Sequence, residues 1–230
     1  MSQTILITGA GRGLGLGLAR SWAAAGDRVI ATCRRPPEAA ELAALAAARD
    51  VRPLRLDVTE RESIEQAAAT LGGEAIDLLV LNAGVYGPRD RQGLGAIDDQ
   101  AFARVLDVNL LGALRVAETM LPLVERSRRK VIAAITSQMG SIARSWGGSY
   151  AYRASKAGLN AAMRALSIDL RARGVAVLVV HPGWVRTDMG GGDATLSVEE
   201  SVRGLRALLD RAGLEHSGRF FDVDGSEIPW

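Results

Sequence analysis

The sequence has a single cysteine, Cys33, so it can form neither an intrachain disulfide nor a cysteine-rich metal centre. Cys33 reads as a small strand residue. Histidine is almost as scarce, with only His181 and His216, far apart in the chain, which argues against zinc. Aromatic residues make up 4% of a chain that is 48% hydrophobic, so the core must be built mainly from Ala, Leu, Val and Ile. No apolar stretch approaches the roughly 18 residues of a membrane helix without polar interruption. The start, Met1-Ser2-Gln3-Thr4, has no basic leader region. A soluble, cytoplasmic protein without membrane partners is therefore expected. Neither sign of charge prevails, with 28 basic against 26 acidic residues. The densest basic run, Arg126-Ser127-Arg128-Arg129-Lys130, is short, precedes a strand and reads as a solvated helix end, so nucleic acid is not an expected partner. Repeats, low-complexity tracts and linkers are also missing, and 230 residues suit one domain over 1–230.

What is present alternates between strand and helix. Thr4-Ile5-Leu6-Ile7 reads as a buried strand, followed at once by Thr8-Gly9-Ala10-Gly11-Arg12-Gly13-Leu14-Gly15 and a helical pattern to Ala25 that stops at Gly26. Strand, glycine loop and helix start are the context of a dinucleotide site: glycines let the backbone approach a pyrophosphate, and the helix N-terminus offers N–H groups and partial positive charge. The second strand, Arg28–Cys33, ends in Arg34-Arg35, where an NAD site would carry an acidic residue for the ribose 2′-OH. Two arginines there, with Arg12 as a third candidate, suit a 2′-phosphate, so NADP(H) is expected over NAD(H). Further strands are expected at Val51–Leu56, Asp77–Leu81, Lys130–Ile135, Val175–Val180 and Gly218–Asp222. Helices are expected at 38–48, at 60–71 with Thr59 as N-cap and Glu62 closing a capping box, and at 99–125 with a bend at Gly112. Two more are expected at 150–173 and at 197–212, the latter with Ser197 and Glu200 as capping box. Val85–Asp98 reads as a loop at the rim of a site, and Gly190–Thr195 as a lid. Asp222-Val223-Asp224-Gly225 is too short for a calcium loop and reads as a turn.

Within Ser149-Tyr150-Ala151-Tyr152-Arg153-Ala154-Ser155-Lys156, Tyr152 and Lys156 stand four apart and share a helix face, whereas Tyr150 falls off it. A lysine beside a phenol lowers the phenol's pKa, making a proton donor and acceptor. Thr8-Gly-x-x-x-Gly13-x-Gly15, Asp57-Val58, Asn82-Ala83-Gly84 and Tyr152-x-x-x-Lys156, in this order, resemble the short-chain dehydrogenase/reductase family, classical type, over essentially the whole chain. The tail Gly225–Trp230 and the segments at Thr136 and His181 resemble its C-factor-like and sniffer-like carbonyl reductases.

The resemblance implies a Rossmann fold, that is, an α/β, doubly wound, mainly parallel sheet with helices on both faces and the substrate site in the same domain. It implies an oxidoreductase moving a hydride between NADPH and a carbonyl or alcohol. Tyr152 would be the acid, Lys156 would lower its pKa and bind ribose, and Asn109 would hold a water that resupplies protons. A serine would orient the carbonyl; Ser137 is preferred because it directly follows a strand, and Ser141 stays open. Asp57 with Val58 would meet the adenine, Asn82, Ala83 and Gly84 would line the cofactor, and Pro182, Gly183, Val185 and Thr187 would cover the nicotinamide. His181 reads as structural. Trp146, Tyr86, Trp184 and Met189 suggest an apolar pocket. A homodimer or homotetramer is expected from the way the family's helices pair. Two other readings stand beside this one: a nucleotide-bound signalling or scaffolding protein with incidental turnover, and an NAD-dependent dehydrogenase.

Overall fold

The computed structural model describes residues 2–230. Its strands are β1 (Thr4–Thr8), β2 (Arg28–Cys33), β3 (Val51–Arg55), β4 (Leu78–Leu81), β5 (Val131–Ile135), β6 (Ala176–Val180) and β7 (Phe220–Phe221). They form one sheet in the order β3-β2-β1-β4-β5-β6-β7. Every pairing is parallel, including the short β7, whose Phe220 and Phe221 register with Val179 and Val180. The expected "mainly parallel" sheet is thus parallel throughout. The sequence reason is that Ile5–Ile7, Leu78–Leu81, Val131–Ile135 and Ala176–Val180 are apolar at every position and buried on both faces, which parallel sheets require.

Successive side chains take opposite faces. Leu6, Ile30, Leu79, Ile132 and Val177 meet Ile64 of α3 (Arg61–Leu71), Val116 of α5 (Gly112–Glu125) and Met163 of α6 (Tyr150–Asp169). Ile5, Ile7, Val29, Val80 and Ala133 meet Leu18 of α1 (Gly13–Ala24), Leu42 of α2 (Ala40–Ala48) and Leu205 of α7 (Val198–Leu209). The sheet is therefore wound on both faces. Its strand order reverses between β1 and β4, and the crevice beyond their carboxyl ends is where such sheets bind ligands.

Two expectations are corrected. Thr59 does not cap α3: its N–H and hydroxyl both donate to the Asp57 carboxylate, at 3.0 and 2.7 Å, and α3 begins at Arg61 without a side-chain cap. By contrast, Ser197 and Glu200 form both bonds of the capping box on α7. The long helix expected over 99–125 is α4 (Asp99–Leu106), a π-turn over Asp107–Leu111 and α5. A π-turn inserts an extra residue into the ladder, and Asn109 lies inside it. Gly112 serves a different purpose from bending: a Cβ there would stand 2.8 Å from a Val58 methyl, so its absence lets α5 approach the segment after β3.

Candidate active site

The glycine loop between β1 and α1 is held from β4. The Thr8 hydroxyl accepts from the N–H groups of Asn82 and Ala83 at 2.9 and 3.0 Å, and the Asn82 amide donates to the carbonyls of Thr8 and Gly9 at 2.9 and 3.2 Å. Gly9 takes φ +69, and a Cβ on it would lie 2.9 Å from Ala83 Cα; one on Gly15 would lie 2.4 Å from the Gly9 carbonyl. Both positions therefore admit only glycine. Gly11 approaches Cys33 closely in the same way. The N-terminus of α1 has no side-chain cap and no acidic residue in its first turn, which leaves its partial positive charge to an anion. Leu14 turns inward against the core. These features fit the pyrophosphate of a dinucleotide.

Around this cradle stand the other expected cofactor residues. Arg34 and Arg35 are exposed at the end of β2, with Arg35 paired to Glu38 at 3.1 Å. Burial raises the Asp57 carboxyl, but Thr59's N–H and hydroxyl and the charges of Arg34 and Arg104 outweigh it and hold the group below its ordinary value. Val58 is buried. Gly183, at φ +80, abuts Leu196, Pro182 accepts from the Ser201 hydroxyl, and Val185 bridges to Leu196. Thr187 stands 3.6 Å from where a Cβ on Gly13 would sit, so this segment meets the glycine loop. The stretch expected as a lid, Gly190–Thr195, is bonded to the segment before it, Trp184 donating to the Gly190 carbonyl and Arg186 to the Ala194 carbonyl. The residues just before it are tied to the glycine loop by the Arg12–Asp188 ion pair and to the rim loop by Arg89 donating to the Met189 carbonyl at 2.7 Å.

Tyr152 and Lys156, on the first two turns of α6, are 7% and 4% exposed. The ammonium stands 5.8 Å from the centre of the Tyr152 ring and donates to the Ile135 carbonyl at 2.9 Å. Burial pushes the Tyr152 phenol up to about 12, a contact with the Ser137 hydroxyl pulls it down and the Tyr86 phenol pushes it up. Burial alone pushes Lys156 down to about 8. Desolvation is the largest influence on both groups and disfavours the charged form of each. Ser137 lies two residues beyond the end of β5 and is buried beside Tyr152. Ser141 is turned away, its hydroxyl donating to the Pro229 carbonyl at 2.6 Å. The Asn109 amide accepts from the Val85 N–H at 2.8 Å and donates to the Val85 carbonyl and to Ser155 Oγ, at 2.8 and 3.0 Å. Its side chain thus holds the strand-end segment Gly84-Val85 against α6, and its Oδ1 and the Lys156 Nζ both border Gly84, 3.2 and 3.6 Å from where a Cβ would sit there.

The rim contains residues that the sequence left undecided or missed. The Tyr86 ring stacks on Tyr152 at 4.5 Å, and its hydroxyl shares a 2.7 Å hydrogen bond with Ser149. The Arg153 guanidinium lies 4.1 Å from the centre of the Trp146 ring and its Nε donates to the Gly148 carbonyl at 3.0 Å. Trp146, Trp184 and Met189 are all substantially exposed. Gln92, which no pattern singled out, is 2% exposed and bonded to the start of α6. A glutamine in a Gly- and Pro-containing loop shows no periodicity; the only available signal was a polar side chain close in sequence to Tyr86.

His181, after β6, is buried with Nδ1 unpartnered. Burial pushes it down to about 4, assisted by Lys156 and Arg144 and opposed by Asp222. The unfolded chain therefore binds more protons between pH 6.5 and about 4, so stability falls as pH drops through this window. The loss amounts to up to about 3 kcal/mol. Urea unfolding of wild type and His181→Gln at pH 7, 5.5 and 4.5 checks this: the wild type should lose more stability on acidification than the variant, and equal losses would count against it.

Comparison with known proteins gives a consistent picture. A family model described as short chain dehydrogenase matches residues 3–197. The C-signal of Myxococcus xanthus is 49% identical over 156 residues, covering 67% of this chain and 93% of that protein. The structure of the carbonyl reductase Sniffer of D. melanogaster superposes with a TM-score of 0.93 at 31% identity, covering 100% of both chains. That of an NADPH-bound carbonyl reductase from chicken fatty liver gives 0.92 at 32% identity, covering 100% of this chain and 99% of that one.

Proposed function

Because the chain belongs to the short-chain dehydrogenase/reductase family of oxidoreductases, we propose that it is an NADP(H)-dependent carbonyl reductase in which Tyr152 is the proton donor. The observation that carries this reading is the buried cluster of Tyr152, Ser137 and Lys156 beside the glycine-loop cradle. When bound, the cofactor supplies the hydride. The chain supplies the rest. A carbonyl carbon that gains a hydride leaves negative charge on its oxygen, and the Tyr152 phenol, protonated throughout the physiological range, gives that oxygen its proton. The Ser137 hydroxyl orients and polarises the same oxygen. Lys156 carries a positive charge at pH 7 and would hold the ribose, while Asn109 positions the Val85 backbone against α6. Tyr86, Trp146, Trp184 and Met189 give the substrate side an apolar rim, which suits aldehydes, ketones or quinones.

The 2′-phosphate would fall to Arg34 and Arg35, with Arg12 in reach once it leaves Asp188. Surface ion pairs such as Arg35–Glu38 and Arg12–Asp188 are worth only about 0–1 kcal/mol, so exchanging them for a phosphate costs little. Replacing both Arg34 and Arg35 with alanine should raise the Kd for NADPH by roughly 10–100-fold, at about 1.5–3 kcal/mol for hydrogen bonds to a charged group. NADH binding should stay within threefold, roughly the ~0.5 kcal/mol expected of a surface change remote from the shared contacts. Calorimetric titration checks both. Equal weakening of the two cofactors, or NADH binding as tightly as NADPH to the wild type, would favour the NAD-dependent reading.

The activity is tested by following NADPH oxidation at the nicotinamide absorbance against a panel of aldehydes, ketones and quinones. A second reading, a nucleotide-bound signalling protein with incidental turnover, is favoured by the identity to a protein named C-signal. Tight NADPH binding without turnover of any member of the panel would support it instead.

A further inference from the structure

The first turn of a helix leaves N–H groups without partners inside the helix. At the start of α6 the usual remedy is missing: Ser149 sits in the left-handed region, φ 53 and ψ 42, and its side chain caps nothing. Gln92 takes its place from outside the helix. Its backbone carbonyl accepts from the Tyr150 N–H at 2.9 Å, and its side-chain Oε1 accepts from the Tyr152 N–H at 3.0 Å. The same amide turns its Nε2 the other way and donates to the carbonyls of Tyr86 and Pro88 at 2.8 and 3.1 Å. Every one of these bonds has ordinary hydrogen-bond length and the side chain is buried. Gly87, at φ +81, is folded against it: a Cβ there would stand 3.4 Å from Gln92 Nε2 and 2.7 Å from a Val105 methyl. One side chain therefore ties the backbone of Tyr152 to the loop whose Tyr86 ring stacks on the Tyr152 ring.

We propose that Gln92 is the positioning residue of the reaction: it fixes where the Tyr152 phenol stands and makes that placement depend on the ordered state of the substrate-side loop. This rests on the reading of Tyr152 as proton donor. Gln92 reaches neither substrate nor cofactor and acts only through Tyr152. A phenol clamped between Tyr86 and Ser137 is desolvated and aimed; a helix start that frays releases both constraints at once. Displacements of about 1 Å in a reacting group cost on the order of 10²-fold in rate.

The test is Gln92→Met, which keeps the volume and removes both the acceptor for Tyr152 and the donors to the loop. Measured well below its Tm on protein with wild-type circular dichroism, kcat for carbonyl reduction should fall roughly 10–100-fold, with the Kd for NADPH within threefold of wild type. In alcohol oxidation, which draws on the phenolate, the rising limb of the pH profile should move to lower pH as the phenol becomes better hydrated. In a Tyr152→Phe background the same substitution should lower the residual rate by less than threefold, since the group it positions is gone. Three results would overturn the proposal: a lower Tm with kcat per folded molecule unchanged, which marks a plain structural cap; NADPH binding and kcat falling together, which marks collapse of the whole site; or the full 10–100-fold loss persisting in the Tyr152→Phe background. A wild-type protein that binds NADPH but turns over no carbonyl would instead remove the reading beneath the proposal, and that outcome is visible before any variant is made.

Discussion

Tyr152→Phe should reduce carbonyl turnover by about 10²–10⁴-fold, the contribution of a positioned proton donor, while the Kd for NADPH changes by less than threefold. The two effects separate because of where the hydroxyl stands. It is buried against Ser137 and Tyr86, on the far end of the ring from the α6 backbone, whereas the phosphate cradle is made by the glycine loop and the α1 N-terminus. The phenylalanine ring keeps the stack with Tyr86, so the fold should be unaffected and Tm should stay close to that of the wild type. Because burial holds the phenol near 12, the donor is fully protonated at neutral pH. Reduction should therefore lose no rate to phenol ionisation between pH 6 and 8, whereas alcohol oxidation, which needs the phenolate, should rise with pH. A variant with more than a tenth of wild-type kcat would remove Tyr152 from the acid role.

Lys156→Met should produce an inactive protein that is more stable than the wild type when free of cofactor. Burial lowers the ammonium from its ordinary value to about 8, so the folded state carries a charge that it disfavours. Between pH 8 and 10.5 the unfolded chain binds more protons than the folded one, so this group adds stability as pH rises and leaves its full penalty in place below pH 8. At pH 7 the penalty is up to about 3 kcal/mol. Removing the bond to the Ile135 carbonyl returns about 1 kcal/mol of it. A net gain of about 2 kcal/mol at pH 7 is expected in urea unfolding with an unchanged m-value, shrinking towards pH 10. A variant equal to or less stable than the wild type would show that the lysine is not held at an electrostatic cost. Sites that keep strained charges for function commonly trade stability in this way.

The sheet was legible because parallel strands buried on both faces need uninterrupted apolar runs, and those of β1, β4, β5 and β6 have no other ready interpretation. Both capping boxes were equally legible, yet only Ser197–Glu200 forms. At Thr59 the carboxylate of Asp57, two residues earlier, captures the hydroxyl and N–H that would have served the helix. Local pattern cannot rank two such competitors, since the choice is made by where β3 ends. The π-turn at Asp107–Leu111 was hidden because apolar spacing continues across it, and its consequence, an Asn109 amide aimed at Val85, is tertiary. The spacing of Tyr152 and Lys156 shows a shared face but says nothing of burial, and it is burial that sets both pKa values. Gln92 was invisible for a related reason: the partner of its Oε1 lies in the backbone of a helix about 60 residues away.

Hydride transfer to a carbonyl carbon can be followed isotopically. Wild-type protein would be incubated with NADPH deuterated at the transferring position and the carbonyls that bind best, and the products examined by mass spectrometry. The expected product is an alcohol carrying one deuterium on the carbinol carbon, absent with Tyr152→Phe over the same interval. Tight NADPH binding with no deuterium in any product would contradict it and leave the nucleotide-bound signalling protein as the better description.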